Sequence, residues 1–187
     1  MVAEPWRWAI VPVVLVAVYT DWRWHKIYNW LTFPALALGF LTSIGAGAFH
    51  HGAIGALSGG LEALAGFGLT FVVFLLLVLL GGMKAGDLKL MAAVGAWLGW
   101  PLAVSGLLYV ALAGGLFSLV WAAAHGALGR LFSRIRLYFL AVQGGINPTP
   151  LVQESVAPLF PYGVSIAVGT LAAIFGPPLI NLPMWRP

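Results

Sequence analysis

The sequence predicts an all-α, polytopic membrane protein of six transmembrane helices, with both termini outside the cytoplasm. Three observations predict it. The 187 residues are 61% hydrophobic and only 7% charged, against roughly 25% charged residues in an ordinary soluble domain, and the mean hydropathy is +0.99. Apolar runs recur at about the 20-residue length that crosses a bilayer. Basic residues gather in alternate connections, the pattern that sets membrane orientation. The expectation is one membrane-embedded domain over residues 1–187.

The first run, residues 6–20, has no charged leading region and no small-residue cleavage site, and it ends directly at Asp21. It reads as a retained helix and not as a removable signal peptide. The second covers residues 28–48. The third, residues 54–80, is long enough to tilt or bend, and its first half carries Gly55, Gly59, Gly60 and Gly66. Such small residues let helices approach closely in lipid. The fourth run, residues 88–98, is short; the fifth covers 102–124 and the sixth 159–180. Between the last two, Leu128, Leu131, Phe132, Ile135 and Phe139 recur at helical spacing with Arg130 and Arg134 on another face. That is the pattern of a helix lying in the lipid interface. Residues 144–150 form a turn-rich loop.

Orientation follows from the flanking charges. Arg23 and Lys26 follow the first helix, Lys84 and Lys89 flank the turn between the third and fourth, and Arg130, Arg134 and Arg136 lie between the fifth and sixth. These seven share one face, which the positive-inside rule makes cytoplasmic, leaving Arg7 and Arg186 on the other. The formal charge of +4 is scattered among apolar runs and suits a topology signal better than a nucleic-acid partner, so none is expected. Nine tryptophans, among them Trp22, Trp24, Trp30, Trp97 and Trp100, fall near span ends and suit an aromatic belt. The chain has no cysteine, which excludes a disulfide, a thiol nucleophile and a Cys-ligated metal site. The pair His50-His51 falls in the predicted outer loop without nearby carboxylates, so no metal or cofactor is expected.

Among only five acidic residues, Asp21 and Asp87 stand where long apolar segments meet short basic ones, on the same predicted membrane face. A carboxylate at membrane depth is costly and points to function. Bland readings exist: Asp87 as a helix N-cap, and Asp21 as a juxtamembrane residue paired with Arg23 or Lys26. Two carboxylates brought together cannot both ionise cheaply, so they share a proton, one acting as base and the other as acid. The start of the fourth helix favours the anionic form of Asp87 and marks it as the lower-pKa member. Glu62, inside the third helix, is assigned an interfacial or packing role.

The local sequences are Asp21-Trp22-Arg23-Trp24-His25-Lys26-Ile27-Tyr28-Asn29 and Gly82-Met83-Lys84-Ala85-Gly86-Asp87-Leu88-Lys89-Leu90. They resemble the two aspartate motifs of the type IV prepilin peptidases, membrane aspartic proteases of the GxGD group, and Pro161-Tyr162-Gly163 resembles the opening of their last helix. The resemblance implies an aspartic endopeptidase with Asp21 and Asp87 catalytic and Asn29, Gly86 and Lys89 supporting the pair or binding substrate. It implies cleavage of short basic leaders from prepilin-like proteins at the cytoplasmic face of a bacterial inner membrane, with pilus or secretion machinery and membrane lipid as further partners. Larger relatives also methylate the new N-terminus, and no motif for that cofactor stands out here. Two departures occur: Tyr28 where the family has proline, and Lys84 where it has the first glycine of its motif. Lacking an N-terminal Cys-x-x-Cys segment, the chain is similar to the short form associated with Flp or tight-adherence pili. Two other classes fit the pattern less well: a small transporter using the aspartates as ion ligands, and a noncatalytic scaffold.

Overall fold

The computed structural model describes residues 4–100, 102–124, 126, 129, 133, 136, 140, 143–144 and 161–180. Among them there are helices and no strand. The chain divides into two compact units, Met1–Gly114 with Pro161–Pro187, and Gly115–Phe160. In the second unit the fifth apolar run continues as helix to Ala124, and Gly129, Ser133, Arg136, Leu140 and Gln143 are helical. The residues that define the expected interfacial helix, Leu128, Leu131, Phe132, Ile135 and Phe139, lie outside the described residues.

The first unit opens with a 3-10 turn, Pro5–Ile10, that runs into α1, Val11–Trp24. Proline in the first turn costs no hydrogen bond, because the N–H it removes has no intrahelical acceptor. α1 outlasts its apolar run, so Asp21 stands inside the last turn and not beyond the helix as the hydropathy suggests. The helix stops at His25, which takes the left-handed conformation at φ 52° and donates its N–H to the Asp21 carbonyl at 2.8 Å. Lys26, Ile27 and Tyr28 then run extended into α2, Asn29–Leu79.

α2 is two arms. Its helical geometry breaks at His51 and at Gly52, where φ is 62°, a sign that glycine accepts at little cost. The arms fold back on each other so closely that a Cβ on Gly55 would strike the Gly47 carbonyl and one on Gly59 the Ser43 carbonyl. The glycines read as close-contact residues in the sequence thus serve a hairpin between the second and third apolar runs. Phe40 and Phe67 meet across it at 5.9 Å.

α3, Ala85–Leu98, is buried along its length from Asp87 to Leu98, with Lys89 the exception. A helix apolar all round belongs inside a bundle, and the short fourth run is therefore the centre of this unit. It lies against both arms of α2. Trp97 donates its Nε1–H to the Ala35 carbonyl at 2.7 Å, and Ser43 donates its hydroxyl to the Ala96 carbonyl at 3.4 Å. Trp97 is consequently a core residue, 3% exposed, and not part of an aromatic belt. Trp22 and Trp24, at the end of α1, and Trp30, at the start of α2, remain exposed.

α4, Leu102–Ala124, and α5, Gly163–Phe175, complete the helices. α5 is shorter than the run 159–180: Gly176 and the two prolines after it end the helix, and Pro161 precedes it. α2 and α4 are long and apolar enough to cross a membrane. α3 and α5, at roughly 20 Å each, are shorter than a hydrocarbon core of about 30 Å. At the end of α1 remote from Asp21, Arg7 is buried and pairs with the partly buried Glu62 at 3.7 Å. Glu62 thus has the packing role its position implied, and Arg7, expected only as a charge on the face opposite the seven basic residues, is its buried partner.

Trp97→Phe removes the bond to Ala35 and is expected to lower unfolding free energy by roughly 0.6–1.7 kcal/mol, the worth of a polar contact inside a membrane bundle. Trp97→Ala, which also leaves a void, loses more. Detergent-denaturation curves check the order; equal stability of all three proteins contradicts the packing described.

Candidate active site

Asp21 and Asp87, 66 positions apart in the sequence, line one cavity of about 330 Å³. Its other walls are His25, Lys26, Ile27, Tyr28, Asn29, Lys84 and Gly86. Most of this lining comes from two short stretches: the end of α1 with its extended exit, and the entry to α3. Both stretches leave a helix terminus facing the cavity, so polar backbone and charged side chains collect there while the rest of the helix surfaces stay apolar.

Each carboxyl is buried, 2% exposed for Asp21 and 3% for Asp87, and each is held by a backbone donor. Asp21 Oδ2 accepts the N–H of Gly163 at 2.8 Å. This contact, and not Arg23 or Lys26, is the hydrogen bond that fixes it. Glycine keeps this approach free: a Cβ there would stand 3.0 Å from Asp21 Oδ2 and 3.1 Å from its Cβ, so Asp21 would have to give way by a few tenths of an ångström. Asp87, in the first turn of α3, accepts the N–H of Lys84 at 3.1 Å. That is the carboxylate half of a capping box: Lys84 is the N-cap and Asp87 stands three positions inside it, so the N-cap role expected of Asp87 falls to Lys84 while Asp87 lines the cavity.

Asp87 lies ahead of the apolar run that begins at Leu88, at the open end of the unit. Burial pushes its carboxyl up to about 6, opposed by the Lys84 backbone hydrogen bond, reinforced by the Asp21 charge and opposed again by the Lys84 ammonium. Desolvation therefore outweighs the hydrogen bond and the ammonium that favour the anion at this helix start. The influence of Asp21 on Asp87 places the two carboxyls within electrostatic reach of each other.

The supporting residues divide. Gly86 lines the cavity, and a Cβ on it would come within 3.2 Å of the Ile27 Cβ; glycine lets the entry of α3 press against the exit of α1. Asn29 also lines it, and its Oδ1 accepts a hydrogen bond from Lys89 Nζ at 2.9 Å. Lys89 acts on the cavity through Asn29, its ammonium lying 5.6 Å from the Phe33 ring centre. His50 and His51 sit at the turn of the α2 hairpin, and no cluster of potential metal ligands occurs among the described residues.

Sequence reasoning missed Gly163, His25 and Tyr28 as parts of the site. Pro161-Tyr162-Gly163 was legible as a motif, but nothing local says that its glycine N–H reaches a carboxylate 142 positions earlier.

A family model described as the type IV leader peptidase family matches residues 8–119. No match was found among curated proteins or among solved structures.

The Asp87 carboxyl, followed by ¹³C NMR in detergent micelles, is expected to titrate with a midpoint near 6. Asp21→Asn removes a neighbouring negative charge and lowers that midpoint. A midpoint indifferent to Asp21→Asn means that the two groups do not share the cavity.

Proposed function

Because the chain belongs to the type IV leader peptidase family, a family of aspartic peptidases, we propose that it is a prepilin leader peptidase of the bacterial inner membrane. In this reading six spans place both termini outside, the cavity opens at the cytoplasmic surface, and the substrate is a prepilin-like protein with a short basic leader. The observation that carries the reading is the convergence of Asp21 and Asp87 on one solvent-open cavity. Supporting it, Trp22, Trp24 and Trp30 are exposed around the same end of the molecule, where aromatic side chains favour a membrane–water interface.

The chemistry follows from unequal environments. Asp87, raised to about 6 by burial, is the member that holds the shared proton. It donates that proton to the carbonyl oxygen of the scissile peptide bond. Asp21 takes a proton from a water molecule whose oxygen attacks the carbonyl carbon. Collapse of the tetrahedral intermediate breaks the C–N bond: the proton gained by Asp21 passes to the leaving amine, and one hydroxyl of the intermediate returns its proton to Asp87 as the new carbonyl forms. Gly163 and Lys84 N–H groups fix the carboxylates, so little reorientation is needed when substrate arrives. Cleavage beside an apolar segment suits this location: the apolar part of the substrate stays in lipid while its basic leader remains in water.

Coexpression with a pilin-type substrate is expected to give a leader-sized mobility shift. Asp21→Asn and Asp87→Asn each reduce processing by about 10²–10⁴-fold, the worth of an acid–base group. The singly protonated pair is depleted as Asp87 loses its proton, so kcat/KM of the free enzyme falls about tenfold per pH unit above pH 6. Processing that survives either substitution contradicts the reading, as does ion-dependent uptake without processing.

A further inference from the structure

Lys84 stands where the family motif begins with glycine, and the structure gives its side chain a contact that glycine lacks. Its backbone is extended, φ −90° and ψ 154°, a conformation open to any residue. No positive φ calls for glycine here. The backbone N–H of Lys84 donates to Asp87 Oδ2 at 3.1 Å, while its Nζ reaches the His25 carbonyl at 3.4 Å. His25 in turn donates its N–H to the Asp21 carbonyl at 2.8 Å. One residue thus stands between the end of the helix carrying Asp21 and the start of the helix carrying Asp87, and it lines the cavity that holds both.

A cation suits that place. The His25 carbonyl belongs to the C-terminal end of α1, where the helix dipole is negative. His25 also holds φ at 52°, a left-handed conformation that a non-glycine residue keeps only when its surroundings hold it. We propose that Lys84 is a positioning residue of the aspartate pair, its ammonium tying the exit of α1 to the entry of α3 and so setting the separation of Asp21 and Asp87. The consequence for the reaction rests on the peptidase reading; the tie itself does not. The charged groups that bear on Asp87 are Asp21 from α1 and Lys84 itself; Tyr162, ahead of α5, feels the Asp87 charge in turn, and His25, Lys26, Tyr28 and Asn29 complete the cavity wall. Among them the Lys84 ammonium opposes the upward push of burial on Asp87.

The chain has no native cysteine, so spin labels at Trp24→Cys and Ala85→Cys in the full-length protein in micelles report the span between the two helix ends. Lys84→Met is expected to broaden the distance distribution, and Lys84→Arg, which keeps charge and reach, to restore it. Lys84→Met also moves the Asp87 titration midpoint upward and the alkaline limb of the pH–rate profile with it, and lowers kcat several-fold with KM unchanged. A distance distribution that Lys84→Met leaves unaltered overturns the proposal, whatever happens to the rate. A protein that cleaves no substrate but still shows the broadening and the titration shift overturns the peptidase reading and leaves the tie standing.

Discussion

The burial of α3 on nearly every face is the constraint from which the rest follows. In lipid there is no hydrophobic gain in bringing apolar helices together, so packing rests on close approach, dispersion and a few buried hydrogen bonds. Leu90, Met91, Ala93, Val94, Ala96 and Leu98 have no exposed surface, and α3 leaves no freedom to slide or turn without opening voids on several sides. Fixing this helix fixes its first turn, and its first turn carries Asp87. Raising that carboxyl to about 6 represents roughly 3 kcal/mol against the charged form, which the packing of α3 sustains.

Small residues make such packing possible. Gly66 and Gly95 face each other across α2 and α3, with Thr70 beside them, and the α2 arms meet through Gly47, Gly55 and Gly59. The hydroxyls of Thr70 and Thr170 bond back to carbonyls of their own helix, while the Ser165 hydroxyl is buried without a hydrogen-bond partner. The buried Arg7 is the expensive charge, offset by Glu62.

Much of the fold was legible because apolar length is a strong signal. The six runs correspond to α1, the two arms of α2, α3, α4 and α5, with boundaries shifted where helix stops override hydropathy. Asp21 falls within α1 because His25, not the end of the apolar run, terminates it; the last helix is cut short by proline and glycine. Both aspartates and Gly86 were legible as motif residues. What could not be read was depth. Nothing in the local sequence distinguishes Trp97, buried against α2, from Trp22, exposed beside the cavity, and nothing marks Arg7 as buried. The burial that raises Asp87 was likewise out of reach: a helix start is visible in the sequence, whereas desolvation belongs to the packed whole.

The hydrogen bond from Gly163 to Asp21 joins residues separated by 142 positions, and Gly163 lies beyond the stretch 8–119 that carries the family match. During synthesis both acids leave the ribosome long before the donor that secures one of them. A nascent chain extended only through α4 has both acids without the clasp that orders Asp21. The aspartate pair is therefore secured only on the arrival of the final helix, and a truncated product retains the motif but not the bond that holds one of its acids.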